Sequence, residues 1–433
     1  MQIDNSPQAY RKVALAACFG TFLEWYDFLA YASLATYFAT LFFPPDEAVR
    51  GLLASLAAFG VGMVVRPLGA ALFGSLGDRY GRRSVFIATI ALMGGATFAI
   101  GLLPTYRDVG LWAAAMLLAL RLIQGLAMGG EIGGANVYLT EHAPAGRRGA
   151  YTSVLQLMGG LGIMASGFQV VLLQGWLSAE EFRAWGWRVP FLVSALLLLV
   201  SVPARLALHE SPLFEALRQA RKVAAAPLRE CFADRHTLGR MALLFFCISA
   251  GGSLLFFSSQ VYANVFLKTV VKMNPVTAGR LTLGSTLALF PLTIACGWLS
   301  DLAGRRPVVL AGLALGALSI VPVFYGLRVW SDQPTLVFLL LMVPVLAVAL
   351  VTGPQTAMLG ELFPTRTRYT AVGLPHNLAA GWIGGLSPFM MAWIGKVAGD
   401  STTGVWYPAT LLLGTTIVGA LFLPETRGRN LAD

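Results

Sequence analysis

Gly74-Ser-Leu-Gly-Asp-Arg-Tyr-Gly-Arg-Arg83 recurs as Gly297-Trp-Leu-Ser-Asp-Leu-Ala-Gly-Arg-Arg306, and each copy joins two long apolar segments. A second pair of stretches occupies matching places, Glu141-His-Ala-Pro-Ala-Gly-Arg-Arg148 in the first half and Glu361-Leu-Phe-Pro-Thr-Arg-Thr-Arg368 in the second. Internal repeats in an apolar chain are typical of transporters built from two similar helix bundles. The repeats therefore predict one membrane unit used twice.

The composition supports a membrane protein. Of 433 residues, 57% are hydrophobic and 12% are charged, outside the usual range of soluble domains. Apolar windows of about 20 residues give about twelve spans, six on each side of a polar gap. We expect an all-α integral membrane protein with a six-helix bundle over 1–208, a cytoplasmic linker over 209–238 and a second six-helix bundle over 239–433.

The formal charge of +10 reflects membrane topology rather than nucleic-acid binding. Roughly two-thirds of the basic residues fall on the side that carries the two repeated loops and both termini, and basic loops favour the cytoplasm. The first apolar stretch contains Glu24 and Asp27 and no small-residue cleavage pattern, so no cleavable signal peptide is expected.

Cofactor chemistry finds little support in this sequence. The four cysteines and four histidines are scattered, with neither a disulfide framework nor metal-ligand spacing. Nucleophile elbows and cofactor loops are also not visible, which disfavours a membrane enzyme. We expect no cofactor other than a proton gradient.

The chain resembles the major facilitator superfamily over nearly its whole length. The twin loops are similar to that superfamily's motif between the second and third helices. Five further stretches resemble its metabolite:proton symporter family, namely Glu24-Trp-Tyr-Asp27-Phe, Arg66-Pro-Leu-Gly69, Gly129-Gly-Glu131, Trp185-Gly-Trp-Arg-Val-Pro190 and Leu423-Pro-Glu-Thr-Arg-Gly428. The resemblance implies alternating access and proton-coupled uptake at a bacterial inner membrane.

Ionisable residues inside the spans are the main candidates for coupling, because burying each one costs roughly 2.5–3.5 kcal/mol. Glu24, Asp27 and Tyr31 share one helical face. Arg121 lies on the order of 15 Å into the fourth span, and Asp27 about 22 Å into the first from the opposite side. They can meet near the midplane, where Asp27 would carry the proton; the alternative is a structural ion pair.

The candidates for proton coupling are Asp27, Arg121, Glu24 and Glu131. Glu131 and a further intramembrane charge, Arg66, pair with each other or bind substrate, the alternative being that they only join the inner ends of their helices. The second half offers only polar groups deep in its spans, which either bind substrate or join helices. The candidates for substrate binding are Arg66, Arg121, Tyr26, Tyr31, Gln124, Gln156, Gln260, Gln355, His376 and Asn377.

The repeated loops are predicted to form a gate on the cytoplasmic side, the alternative being a positive-inside anchor. An aspartate near a helix start is stabilised by free backbone N–H groups. The gating candidates are Gly74, Asp78, Arg79, Gly81, Arg82 and Arg83, with Asp301, Arg305 and Arg306 in the second copy. Leu302 replaces Arg79 there, so the second copy is expected to be weaker.

Together these features predict a monomeric secondary transporter that symports protons with a small organic solute. A carboxylate metabolite is favoured, because Arg66 and Arg121 are the deep cations available to bind anions. A zwitterionic solute such as a betaine is the alternative, held by Glu24, Asp27 and aromatic rings. An exporter or uniporter of the same fold is a further alternative. No nucleic-acid partner is expected.

Overall fold

The computed structural model describes residues 7–44 and 48–431, and all regular structure within them is helical. Ten helices in this part are long and apolar enough to cross a membrane. The first two predicted spans are formed by the helix Pro7–Leu41 and by the successive helices Ala48–Val64 and Arg66–Tyr80. The predicted twelve-span arrangement is therefore confirmed.

The remaining spans follow in chain order. The third to sixth are Arg82–Leu102, Leu111–His142, Arg148–Trp176 and Gly186–Leu206. The seventh to twelfth are Arg235–Thr269, Pro275–Ala303, Arg305–Val329, Pro334–Glu361, Arg368–Ala398 and Thr403–Phe422. Short helices Tyr106–Val109, Ala179–Ala184, Pro212–Gln219 and Pro227–Ala233 lie between spans.

The chain divides into two compact units. Within the described residues, unit 1 contains 7–44, 48–142, 157–231 and 365–374, and unit 2 contains 143–156, 232–364 and 375–431. Each unit thus includes the beginning of a span whose remainder belongs to the other, the fifth span for unit 2 and the eleventh for unit 1. The predicted boundaries at 208 and 239 stay a prediction.

Glycines let the spans of unit 1 pack backbone against backbone. A Cβ on Gly69 would overlap the backbone of Leu126, and one on Gly129 would overlap the Arg66 carbonyl oxygen. The second and fourth spans therefore cross in close backbone contact. A Cβ on Gly162 would likewise overlap the Phe22 carbonyl, so the fifth span packs tightly on the first.

The seventh and eleventh spans contain π-helical turns, at Leu244–Ser249, Phe257–Tyr262 and Ala379–Gly384. A Cβ on Gly384 would overlap Ser253, between the two π turns of the seventh span, and would lie 3.2 Å from Phe257 at the start of the second one. Single π turns occur often at functional sites because they redirect side chains and free backbone groups.

Candidate functional site

A cavity inside unit 1 is lined by charged residues of the first and fourth spans. Side chains from the first four spans line it: Glu24, Asp27, Phe28, Gly62, Met93, Arg121, Gln124, Gly125 and Met128. The aspartate and the arginine predicted to meet are therefore on the walls of one cavity.

Arg121 is the best-connected group of this cavity. Its Nη1 donates to Gln124 Oε1 at 2.9 Å, and Gln124 Nε2 donates to Thr97 Oγ1 at 2.6 Å. Its guanidinium interacts by charge with Asp27 and lies over the ring of Tyr31, with 3.3 Å between Cζ and the ring centre. An amide and an aromatic face thus contact one cation, whose charge also interacts with Asp27 in the same cavity.

The other two predicted charges pair with different partners rather than with each other. Arg66 Nη2 lies 3.7 Å from Glu24 Oε1. Glu131 forms a two-point ion pair with Arg205 of the sixth span and accepts a 2.9 Å hydrogen bond from Thr89 Oγ1. Because its carboxylate is saturated by protein groups, Glu131 forms a helix-joining ion pair in this structure.

Tyr26 lies away from the cavity. Its hydroxyl donates to Gln169 Oε1 and lies 3.1 Å from the Pro190 carbonyl oxygen, so it links the first span to the fifth and sixth. The position of Tyr26 on the helix, one residue before Asp27, turns its ring toward a different neighbour.

Polar residues of unit 2 form separate contacts. Thr286 Oγ1 donates to Gln260 Oε1 at 2.6 Å, and Ser249 Oγ lies 2.8 Å from His376 Nδ1. Gln355 lies beside Gly252, where a Cβ would be 3.4 Å from Oε1. Asn377 is buried next to His376, and Gln156 is half-buried at the start of the fifth span.

The first repeated loop binds a helix start within unit 1. Asp78 accepts hydrogen bonds from the backbone N–H groups of Tyr369 at 3.2 Å and Thr370 at 2.8 Å, in the first turn of the eleventh span. Gly74 packs on the same turn, because a Cβ there would lie 3.0 Å from Thr370 Cα. A carboxylate at this position satisfies free N–H groups and the positive end of the helix.

The second loop repeats this arrangement within unit 2. Asp301 accepts hydrogen bonds of 2.9 Å from the backbone N–H groups of Gly149 and Ala150, in the first turn of the fifth span. Arg305 Nη1 lies 2.6 Å from Asp301, whereas Arg82 lies 3.6 Å from Asp78. The carboxylate of each loop thus holds a helix start from the other half of the sequence.

Two glutamates, one in each half of the sequence, form ion pairs with the arginines of the repeated loops. Glu141 lies 3.3 Å from Arg82 and 2.7 Å from Arg368. In the second copy, Glu361 lies 3.4 Å from Arg305 and 3.6 Å from Arg148. The sequence repeat that places an acid, a proline and two bases after the fourth and tenth spans therefore provides the charged partners of the loop arginines.

The turn glycines and the second arginines have local roles. Gly81 and Gly304 adopt φ angles of +119° and +104°, where residues with a side chain are strained. Arg83 Nη2 donates to the Leu206 carbonyl oxygen at 2.5 Å, and Arg306 Nη2 donates to that of Ala420 at 2.6 Å. These bonds fix the ends of the sixth and twelfth spans.

Sequence analysis missed Glu210 and Glu425. Glu210 accepts from the backbone N–H of Arg82 at 3.2 Å, and Glu425 accepts from that of Arg305 at 2.9 Å. Partial burial raises the pKa of Glu425, but backbone donors including Arg305 and Arg306 outweigh this, and its pKa is lowered. The signal was present as Glu210-Ser211 and Glu425-Thr426, one pair after the sixth span and one after the twelfth.

Among the described residues, no contact explains why the second repeated loop should be weaker than the first. Arg79 is exposed and lies over the neighbouring Tyr80 ring, 5.1 Å from its centre. Its counterpart Leu302 is also exposed, and its carbonyl accepts from Arg427. Asp301 and Arg305 are, in addition, closer than their first-half equivalents.

The sequence of the chain matches the family of sugar (and other) transporters over residues 13–237 and 219–433. It is 35% identical over 428 residues to the inner membrane metabolite transport protein YhjE of Escherichia coli (strain K12), covering 97% of this chain and 95% of that protein.

Two further relatives transport named solutes. The shikimate transporter of Escherichia coli (strain K12) is 36% identical over 392 residues, covering 88% of this chain and 87% of that protein. The proline/betaine transporter of Salmonella typhimurium (strain LT2) is 30% identical over 437 residues, covering 97% of this chain and 85% of that protein.

Among solved structures, the proton:xylose symporter XylE bound to 6-bromo-6-deoxy-D-glucose is similar in fold. The TM-score is 0.74 at 19% sequence identity, and the match covers 98% of each chain. The twelve spans, the family match and these relatives confirm the resemblance inferred from the motifs. The chain is a multi-pass membrane transporter, not an enzyme, and it belongs to the sugar (and other) transporter family of the major facilitator superfamily.

Proposed function

We propose that this transporter couples inward proton movement to uptake of a small carboxylate-bearing solute by alternating access. The observation that carries the proposal is the shared cavity of Asp27 and Arg121. Asp27 is 2% exposed and Arg121 is 3% exposed. A buried carboxylate beside a guanidinium changes its proton affinity when a substrate anion competes for the same cation.

The test of coupling is uptake into proteoliposomes under an imposed proton gradient. A symporter accumulates solute when the outside is acidic and stops when a protonophore collapses the gradient. Accumulation that is indifferent to the gradient would indicate a uniporter, and gradient-driven efflux would indicate an exporter.

The solute class rests on the charges of the cavity. Arg121 can bind a carboxylate, as the match to a shikimate transporter also suggests. A zwitterionic solute is the second candidate, because Glu24, Asp27 and Phe28 line the same cavity and can surround a quaternary amine. The match to a proline/betaine transporter supports this candidate.

Ligand-induced stabilisation of the purified protein separates the two candidates. Carboxylic acids and betaines are screened by thermal shift at an acidic and a neutral pH, since a ligand that binds the folded state raises its apparent stability. Stabilisation by acids, greater at acidic pH, supports the carboxylate. Stabilisation by betaines alone supports the zwitterion.

We propose further that the protein works as a monomer in a bacterial inner membrane without a cofactor, with both termini in the cytoplasm. The basic side of the chain and the match to an inner membrane protein support this placement. Labelling of single cysteines near each terminus by an impermeant reagent in whole cells tests the orientation.

The repeated loops are proposed to form the gate on that side. Asp78 and Asp301 bind helix starts with carboxylates, and Glu141 and Glu361 pair the loop arginines with those same helices. Separating the fifth and eleventh spans from the loops breaks several charged hydrogen bonds together. Such a set has two discrete states, closed and open.

A further inference from the structure

The guanidinium of Arg121 is stacked on an aromatic ring as well as facing an acid. Its Cζ lies 3.3 Å from the centre of the Tyr31 ring. An arginine over an aromatic face is stabilised as a cation, and the effect grows when water is excluded. Tyr31 is fully buried and Arg121 is nearly so. The ring is therefore a true partner of the charge.

Tyr31 is held rigidly in this position. Its hydroxyl donates to the Ser55 carbonyl oxygen at 3.0 Å, and Ser55 Oγ donates to the Ala35 carbonyl oxygen at 2.8 Å. The edge of the ring meets Phe38 at a centroid distance of 4.7 Å, within a buried cluster that includes Trp187. Any movement between the two partners must come from the long side chain of Arg121.

Asp27 and Tyr31 are four residues apart on one helix, so they lie one above the other on the same face. One turn of an α-helix is about 5.4 Å long. The guanidinium of Arg121 thus lies over the ring of Tyr31 and interacts by charge with Asp27, about one helical turn away, so the ring and the carboxylate act on the same cation.

We propose that Tyr31 is a positioning residue for proton coupling, whose ring holds Arg121 as a cation when Asp27 becomes protonated. The proposal rests on the proton-coupled function proposed above and states what keeps Arg121 charged and in place during the cycle. During the transport cycle, a proton binds the Asp27 carboxylate while Arg121 keeps its own proton and remains on the ring. Asp27 later releases the same proton on the inner side. Tyr31 was predicted to contact substrate; here its role is to hold Arg121.

Other charges around the cavity are already paired or shared. Glu24 lies on the same span as Asp27 and 3.7 Å from Arg66 of the second span. Glu131 of the fourth span and Arg205 of the sixth form an ion pair that interacts with Glu24. Among the described residues, the third span contributes the uncharged Thr97, which accepts from Gln124 and also interacts with Asp27. Asp27 is therefore the acid whose protonation acts most directly on Arg121.

The test replaces the ring in reconstituted full-length transporter. Tyr31→Phe keeps the aromatic face, whereas Tyr31→Leu and the more adaptable Tyr31→Met remove it. Phe38→Leu is the matched control, since it removes a ring of the same cluster that borders Tyr31. Proton-driven uptake is measured over a pH series, and solute exchange, which needs no net proton movement, reports folding and binding.

Removing the ring leaves Asp27 as the stronger partner, so protonation of Asp27 has to displace a tighter ion pair. We expect Tyr31→Leu or Tyr31→Met to move the midpoint of uptake to lower pH by about one unit, a tenfold higher proton concentration, with exchange retained. Phe38→Leu should keep the wild-type midpoint. Tyr31→Phe keeps the ring but loses the hydroxyl that also interacts with Arg121, so it should move the midpoint less than the aliphatic variants do.

An unchanged midpoint in both aliphatic variants overturns the role of Tyr31, and so does an equal displacement in Phe38→Leu. Asp27→Asn is measured in parallel to separate this failure from failure of the function. If Asp27→Asn loses uphill accumulation while the ring variants behave as wild type, coupling stands and only the Tyr31 proposal falls. If Asp27→Asn still accumulates solute, the coupling mechanism itself is wrong.

Discussion

The Asp78 carboxylate accepts a 2.8 Å hydrogen bond from the backbone N–H of Thr370, 292 positions further along the chain. The equivalent bond in the second copy joins Asp301 to Gly149 at 2.9 Å. In each case an acid in the last turn of one span accepts hydrogen bonds from backbone N–H groups in the first turn of a helix from the other half of the sequence. The two bonds define what each repeated loop does.

Asp78→Asn should weaken this attachment. An amide keeps one acceptor but loses the charge and one of the two bonds, and hydrogen bonds to charged groups contribute about 1.5–3 kcal/mol. We expect a lower thermal stability in detergent and faster labelling of a cysteine placed at the start of the eleventh span. Asp301→Asn is the matched variant and should expose the start of the fifth span. Wild-type labelling rates in both would favour the anchor interpretation of the loops.

Asp27→Asn should abolish uphill accumulation while preserving exchange. The amide is close in size to the carboxylic acid and cannot release a proton, so binding survives and coupling does not. Glu24→Gln is the control, because Glu24 lines the same cavity on the same span but faces Arg66. Proton-driven uptake and exchange are compared in the same vesicles. Equal loss in both variants would assign the proton to the pair of acids rather than to Asp27.

Glu131→Gln should destabilise the protein strongly. It leaves the buried Arg205 without its counterion, which typically costs about 3–5 kcal/mol. Replacing both residues, as Glu131→Gln with Arg205→Met, should recover most of the loss in thermal unfolding. Transport by the double variant then separates the two interpretations of Glu131. Restored proton-driven uptake identifies a structural ion pair, whereas a stable but uncoupled protein identifies a role in coupling.

Gly69→Ala should disturb the contact between the second and fourth spans. The added methyl group overlaps the backbone of Leu126, which cannot rotate away, and overpacking of this kind costs about 1–3 kcal/mol. Gly95→Ala is the control, because a Cβ there meets nothing within 4 Å. The unfolding temperature should be lowered by Gly69→Ala only. Equal unfolding temperatures in the two variants would mean that the second and fourth spans can move apart without loss of stability.

Sequence reasoning succeeded where a pattern repeats or where burial has a fixed cost. The duplicated loops and about twelve apolar windows predicted the membrane fold, and the cost of intramembrane charges identified Glu24, Asp27 and Arg121. Their depths along the helix axes follow from residue counting, since each residue rises 1.5 Å. The shared cavity agrees with that calculation.

The choice of partners was beyond such reasoning. Counting along a helix gives depth but not which face meets which neighbour, so Arg66 and Glu131 were not assigned to Glu24 and Arg205. Arg205 lies in the last turn of its span, where an arginine usually reaches the membrane surface. In this protein it is fully buried. The π-helical turns of the seventh and eleventh spans were likewise not predicted.

The exchange of helix starts between the two halves of the sequence constrains how such a chain arose. A half-length ancestor with one loop aspartate and one matching helix start would have made this bond only with a second molecule, since in the present chain the bond joins opposite halves. Two identical copies related by a two-fold axis satisfy both bonds at once. Joining the two copies in one chain makes such an intermolecular contact internal, and each half of the present sequence depends on the other to complete its bond.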